Sequence, residues 1–241
     1  MPGSQVLTDR EFWIEYWNQT PDATIDDSWF IGAISKLPSD GATLVELGGF
    51  PGHMAAWFHK RGFQTTILDF VILDDRLRRT ERLNGLPAGA IRSIECDLMG
   101  ELPGDRFDVV ASFGLAEHFA DLPAIVARHA ALAKPGGTIL ITMPNFRGVN
   151  GMFQRIFDPA NYFKHNIHSM DPVVLRRAIE PVAESADILY FGRPRFWIEN
   201  SEARPRWFRS LVRAAGRAMC LLGWRGRIFS PHIAAIARLP R

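Results

Sequence analysis

The chain has 241 residues, enough for a single domain with decorations to bury a sizeable core. With 47% apolar residues, 22% charged residues and a formal charge of +2, it has the composition of a soluble globular protein and no bulk signature of a nucleic-acid binder. Two cysteines, Cys96 and Cys220, fit neither a metal spacing nor a disulfide framework, so a reducing cytoplasm is the default location.

The start, Met1-Pro-Gly-Ser-Gln, lacks the basic run and apolar core of a secretory signal, and no apolar stretch is long enough to span a bilayer. Residues 1–40 read as a helical N-terminal lid. Thr8-Asp9 can cap a helix carrying Phe12, Trp13, Tyr16 and Trp17, and Asp26 or Asp27 can cap a second one running to about Leu37. The aromatics either pack on the sheet or close over a ligand, with Tyr16 and Trp17 the contact candidates. From 41 to 145, strands near 43–48, 64–69, 90–96, 107–113 and 137–143 alternate with helices near 53–61, 74–84 and 121–133. Such alternation predicts a doubly wound α/β fold whose parallel strands carry ligands at their carboxyl ends. Glu46, Asp69, Asp97 and the loop 113–118 all fall on that edge.

Thr43-Leu-Val-Glu-Leu-Gly-Gly-Phe-Pro-Gly-His53 is the most informative segment. An apolar strand ends near Glu46, a glycine turn follows, and a helix begins near His53. Glycines there let a ligand approach the backbone, and the helix start offers unpaired N–H groups. Asp69, at the end of the next strand, suits the hydroxyls of a ribose. A dinucleotide fingerprint fails in both registers: from Gly48 it needs glycine where Phe50 and His53 stand, and from Gly49 where Pro51 and Met54 stand. Glu46 would repel a phosphate and suits a cationic ligand with an amino group.

Glu46-Leu-Gly48-Gly49-Phe50-Pro51-Gly52 resembles motif I of the class I S-adenosylmethionine-dependent methyltransferases, with Phe50 in place of the central glycine. Asp69 falls at the motif II position, and Cys96-Asp97-Leu98 resembles the acidic site that faces the adenine amine. Phe107-Asp-Val-Val-Ala-Ser-Phe113-Gly-Leu-Ala-Glu117-His118-Phe119 is similar to motif IV of the small-molecule branch. Lys134-Pro-Gly-Gly-Thr-Ile-Leu-Ile-Thr-Met-Pro-Asn145 resembles the family's turn into the fifth strand. The resemblance covers 41–145 well. It implies a Rossmann-like, mostly parallel seven-stranded sheet and S-adenosylmethionine as cofactor. Its expected contacts are Glu46, Gly48, Gly49, Gly52, Asp69, Phe70, Asp97, Leu98 and Phe113. Phe70 can equally be ordinary packing.

Residues 146–241 read as an acceptor cap, the last sheet strands and a basic amphipathic helix of the same domain. Segment 145–169 is too long for a turn and too aromatic for disorder. Asp171-Pro172 starts a helix to about Ile179, and strands follow near 186–192 and 232–238. From 203 to 241 there is no Asp or Glu, while Arg206, Arg209, Arg213 and Arg217 recur at helical spacing. The plainest reading is a surface helix whose apolar side covers the sheet. The others are peripheral contact of 203–228 with the inner face of an anionic membrane, or a homodimer interface.

His118 is the candidate general base, with mere pocket shaping as its alternative, since a neutral imidazole accepts a proton near neutrality. Tyr16, His165 and His168 are candidate acceptor contacts, and no ligand set for a metal is evident. The function expected is methylation, preferably of oxygen, on a small-molecule, sugar or lipid-linked acceptor and not on nucleic acid. The alternatives are N-methylation or a non-catalytic scaffold that retains the cofactor fold.

Overall fold

The computed structural model describes residues 10–20, 24–25, 37, 41–194, 196 and 204–241. The expected Thr8-Asp9 cap and nearly all of the second lid helix lie outside these residues. The first element described is α1 (Arg10–Gln19).

Strand β1 (Thr43–Leu47) pairs in parallel with β2 (Gln64–Asp69) on one side and β4 (Phe107–Phe113) on the other. Strand β3 (Arg92–Glu95) extends the sheet beyond β2, and β5 (Ala133–Pro144) extends it beyond β4. Beyond β5 the direction reverses. Of β6 (Ser185–Phe191) and β7 (His232–Arg238), the later strand inserts antiparallel between β5 and β6. The order is therefore β3-β2-β1-β4-β5-β7-β6. The central strands are apolar on both faces, as a sheet covered on both sides requires.

On one face, α2 (His53–His59) sets Met54, Trp57 and Phe58 against Leu44, Val109, Ala111 and Leu140. Beside it, Leu77 of α3 (Asp74–Leu83) packs with Phe50, Ile67 and Ile91. On the opposite face lies α4 (Leu122–Leu132), whose start is fixed by Asp121 accepting the Ala124 N–H at 2.9 Å. The segment after β5 forms α5 (Val149–Phe157) and α6 (Pro159–Phe163), so the expected cap is helical, not a loop. Helix α7 (Pro172–Ile179) begins at Asp171-Pro172 as its sequence predicts, and its Leu175 and Ile179 join the core beneath α4.

Helix α8 (Arg206–Leu221) departs from the plainest sequence reading. Only Gly216 and Met219 of its length are buried, while Trp207, Leu211 and Leu221 are exposed. The faces of the sheet are already occupied by α2, α3, α4 and α7, which leaves α8 little apolar surface to cover. Among the described residues no helix is long and apolar enough to cross a membrane.

The crossover from α3 to β3 depends on one buried acid. Glu81 is fully buried, takes the Arg78 guanidinium at 2.7 and 2.8 Å, and accepts the N–H groups of Gly89 at 3.0 Å and Ile91 at 2.9 Å. Removing one side of such a set leaves desolvated groups without partners. Glu81→Ala should lower unfolding stability by about 3 kcal/mol, seen as a reduced urea midpoint. A midpoint equal to the wild type would show that water replaces these contacts.

Candidate active site

A cavity of ≈ 860 Å³ opens at the carboxyl ends of β1 to β5. Its floor comes from Gly48 after β1, Asp69 and Phe70 after β2, Asp97 and Leu98 after β3, and Phe113 after β4. Its far wall holds Glu117 and His118, from the 3-10 turn Ala116–His118, together with Thr142 to Pro144 at the end of β5. The cap contributes Phe146, Asn161, Lys164 and His165, and α1 closes one side with Phe12, Trp13, Tyr16 and Trp17.

Asp69 ties the floor together. One carboxylate oxygen accepts the Phe50 N–H at 2.9 Å and the other the Val71 N–H at 3.2 Å. Burial nevertheless pushes its pKa up to about 6, against the lowering effect of those N–H groups. Gly48 has φ +64°, a left-handed conformation that side chains other than glycine adopt only with strain. Gly52, at φ +95°, likewise holds a backbone conformation that favours glycine.

The expected contacts separate into two groups. Gly48, Asp69, Phe70, Asp97, Leu98, Phe113, His118, Tyr16 and His165 line the cavity, whereas Glu46, Gly49, Gly52 and His168 do not. Glu46 is turned to the start of α2, where the Ala55 N–H donates to its carboxylate. The orphan N–H groups of a helix start explain that choice. Burial raises its pKa well above the usual carboxylate range, and its Oε2 is buried without a partner. His168 is exposed.

Several residues lining the cavity escape sequence reasoning. His232 arrives only because β7 inserts beside β5, and Asn161 and Lys164 only because the cap folds back as α5 and α6. Trp13 stands edge-on to His118 with ring centres 5.2 Å apart, and Lys164 sits 5.2 Å from the ring centre of Phe12. Helix α1 is held by Arg76, whose guanidinium donates to the carbonyls of Trp17 and Thr20, and by an Arg10–Glu95 ion pair at 2.9 Å.

Glu117, His118 and His165 meet on the far wall, each offering one ligand-type atom and all three atoms lying within 4.8 Å of one another. Sequence spacing does not show this trio, because His165 reaches the pair only through the folded cap. The donor types could hold a divalent cation. Without one, Glu117 and His118 are both held toward their uncharged forms. Burial pushes Glu117 up to about 8, while burial, His165 and the Lys164 cation push His118 down to about 3. His165 Nδ1 donates to the Asn161 carbonyl at 2.6 Å. His118 Nδ1 and Glu117 Oε2 are buried and have no hydrogen-bond partner.

The parallel sheet, its glycine turn and the acids on its carboxyl edge define an α/β enzyme that binds an adenosine-containing cofactor. A family model described as a methyltransferase domain matches residues 28–181, and the chain belongs to that family, the class I S-adenosylmethionine-dependent methyltransferases. It is similar to a ubiquinone biosynthesis O-methyltransferase of Xylella fastidiosa, 33% identical over 115 residues that make up 46% of this chain and 45% of the relative. A protein of the same name from Xanthomonas euvesicatoria is 32% identical over 116 residues, 46% of each chain. The matched stretch thus spans somewhat under half the length of these curated relatives.

Among solved structures, Haemonchus contortus phosphoethanolamine N-methyltransferase 2 with S-adenosyl-L-methionine superposes with a TM-score of 0.55 at 16% identity, covering 86% of this chain and 50% of that one. Geranyl diphosphate C-methyltransferase from Streptomyces coelicolor gives 0.54 at 16% identity, covering 86% and 76%. Those likenesses establish the shared fold.

The residues present fit S-adenosylmethionine, the cofactor of the family. Asp69 and Asp97 present acceptors to hydroxyl and amine donors, the side-chain-free Gly48 leaves room, and Phe70 offers a 38% exposed ring beside Asp69. Below about pH 6 Asp69 gains a proton and loses acceptor capacity. Affinity for S-adenosylhomocysteine should therefore fall between pH 7.5 and pH 5 in calorimetric titration. Asp69→Asn should weaken binding about tenfold, about 1.4 kcal/mol, and remove that pH dependence. Unchanged affinity in the variant would show that Asp69 serves the loop and not the ligand.

Proposed function

We propose that this enzyme methylates a hydroxyl oxygen on a small-molecule or lipid-linked acceptor with an apolar or aromatic body. The observation that carries the reading is His118, which lines the cavity that Asp69 and Asp97 floor and whose Nδ1 is buried without a hydrogen-bond partner. The surroundings, Phe12, Trp13, Phe119 and Phe146, favour an apolar acceptor over a bare sugar. The relatives named as O-methyltransferases support oxygen as the accepting atom.

When bound, S-adenosylmethionine supplies a methyl group on a positively charged sulfur. Displacement at such a centre depends mainly on holding the attacking atom in line. Helix α1 and the cap supply that constraint as a lid and an acceptor wall, with Tyr16 and His165 facing the acceptor. A small turn of the His118 ring brings its buried Nδ1 to the cavity, where it accepts the hydrogen bond of the acceptor hydroxyl and so aims an oxygen lone pair at the methyl. An imidazole held down to about 3 is a weak base for an intact hydroxyl. The hydroxyl becomes strongly acidic as its oxygen forms the new bond, and even a weak base takes the proton at that stage. Asp69, Asp97, Phe70 and Leu98 hold the adenosine end, while Glu46, Gly49 and Gly52 shape the turn.

The test is turnover of S-adenosylmethionine with hydroxylated aromatics, prenylated phenols and free sugars, read as S-adenosylhomocysteine release and product mass. Turnover should be confined to acceptors with an apolar body. With one of these, His118→Ala should lower kcat by about 10²- to 10⁴-fold. Affinity for S-adenosylhomocysteine should change by less than about threefold. An unaltered kcat would leave His118 as a pocket wall only, and amine-only turnover would overturn the oxygen assignment.

A further inference from the structure

We propose that α8 and the adjoining cap form a docking face for an anionic lipid bilayer. The inference stands on surface features alone and holds whichever acceptor the cavity takes.

At about 100° per residue, Trp207, Leu211, Ala214, Ala218 and Leu221 share an arc of about 80° on the helix. Trp207 is 69% exposed, Leu211 61% and Leu221 88%. Along one edge of this arc run the exposed Arg206, Arg213 and Arg217. The opposite edge leads to Phe208 and Met219, which face the body of the protein. There the Phe208 ring meets Phe157 of α5 at 5.3 Å, and Arg204 donates to the Phe157 carbonyl at 2.7 Å. The cap touched in this way exposes apolar side chains of its own, with Ile156 at 62% and Phe163 at 71%. The surface beyond α8 continues through Leu222, 62% exposed, and Trp224, 43% exposed. Exposed apolar surface of this extent on a monomer marks an interaction site.

The charge pattern selects the occupant. Residues 204–241 contain no acid, so a second copy seated on the same face would bring one arginine row against another without compensation. A soluble polyanion would satisfy the arginines and leave Trp207, Leu211 and Leu221 in water. An anionic bilayer satisfies both: the apolar arc enters the boundary between headgroups and acyl chains, and the arginines reach the phosphates. The same cap lines the cavity through Asn161, Lys164 and His165, so docking brings the acceptor wall toward the lipid surface.

The experiment is co-sedimentation of the full chain with phosphatidylcholine vesicles with and without about one-third phosphatidylglycerol, at low and high salt. The expected result is binding at least tenfold stronger to the anionic vesicles, weakened by salt. Two variants, Trp207→Ser/Leu211→Ser/Leu221→Ser and Arg213→Glu/Arg217→Glu, should each lose at least tenfold of that binding while retaining S-adenosylhomocysteine affinity as proof of folding. No binding of the wild type to anionic vesicles would overturn the proposal, as would wild-type binding by the serine variant. It would also be overturned if the wild type proved a vesicle-indifferent dimer in sedimentation velocity that the serine variant splits.

Discussion

Everything at the carboxyl edge of the sheet is referred to the Asp69 carboxylate. By taking the Phe50 N–H it closes the glycine turn against the end of β2, and by taking the Val71 N–H it sets the direction in which the chain leaves that strand. The turn in turn places Gly52 at the start of α2, whose Ala55 N–H engages Glu46. Two buried carboxylates thus hold one loop from opposite sides. Neither is fully compensated, since burial raises the pKa of both. Of the two only Asp69 lines the cavity, and a desolvated acid at a cleft marks a place where a ligand can complete the hydrogen bonding.

The far wall follows a different electrostatic rule. The floor carries the Asp69 and Asp97 carboxylates, whereas on the far wall burial pushes Glu117 up to about 8, and burial, His165 and Lys164 push His118 down to about 3. The cavity thus has two halves, an acid-bearing floor and a far wall on which Glu117 and His118 are held toward their uncharged forms. Helix α1 spans the two halves, with Trp13 against His118 and Trp17 against Phe50.

Much of the core is legible in the sequence because its signals are local. Strand periodicity, the glycine turn, acids at strand ends and the Asp171-Pro172 helix start each act within a few residues, and the structure places each where its pattern does. What escapes the sequence depends on distant partners. Glu46 is read as a ligand for an amine, but whether it faces a cavity or a helix start depends on the angle at which α2 leaves the turn. His232 joins the site through an inserted strand and has no short-range pattern, while His165, expected as an acceptor contact, meets Glu117 and His118 only through the folded cap. The exposure of α8 could not be read because amphipathicity states that a helix has an apolar side, not that the body has room for it.

The insertion of β7 between β5 and β6 has a consequence for biosynthesis. Strands β1 to β5 can pair soon after they leave the ribosome, since each finds its neighbour among earlier residues. Strand β6 cannot, because among the described residues its only partner in the sheet is β7, which emerges after α8. Until then the outer edge of β5, from Thr138 to Pro144, is an unpaired apolar strand, the kind of surface that nascent chains expose to chaperones and to one another. Vectorial synthesis therefore leaves the last part of the sheet to close in one late step, with α8 held outside it throughout.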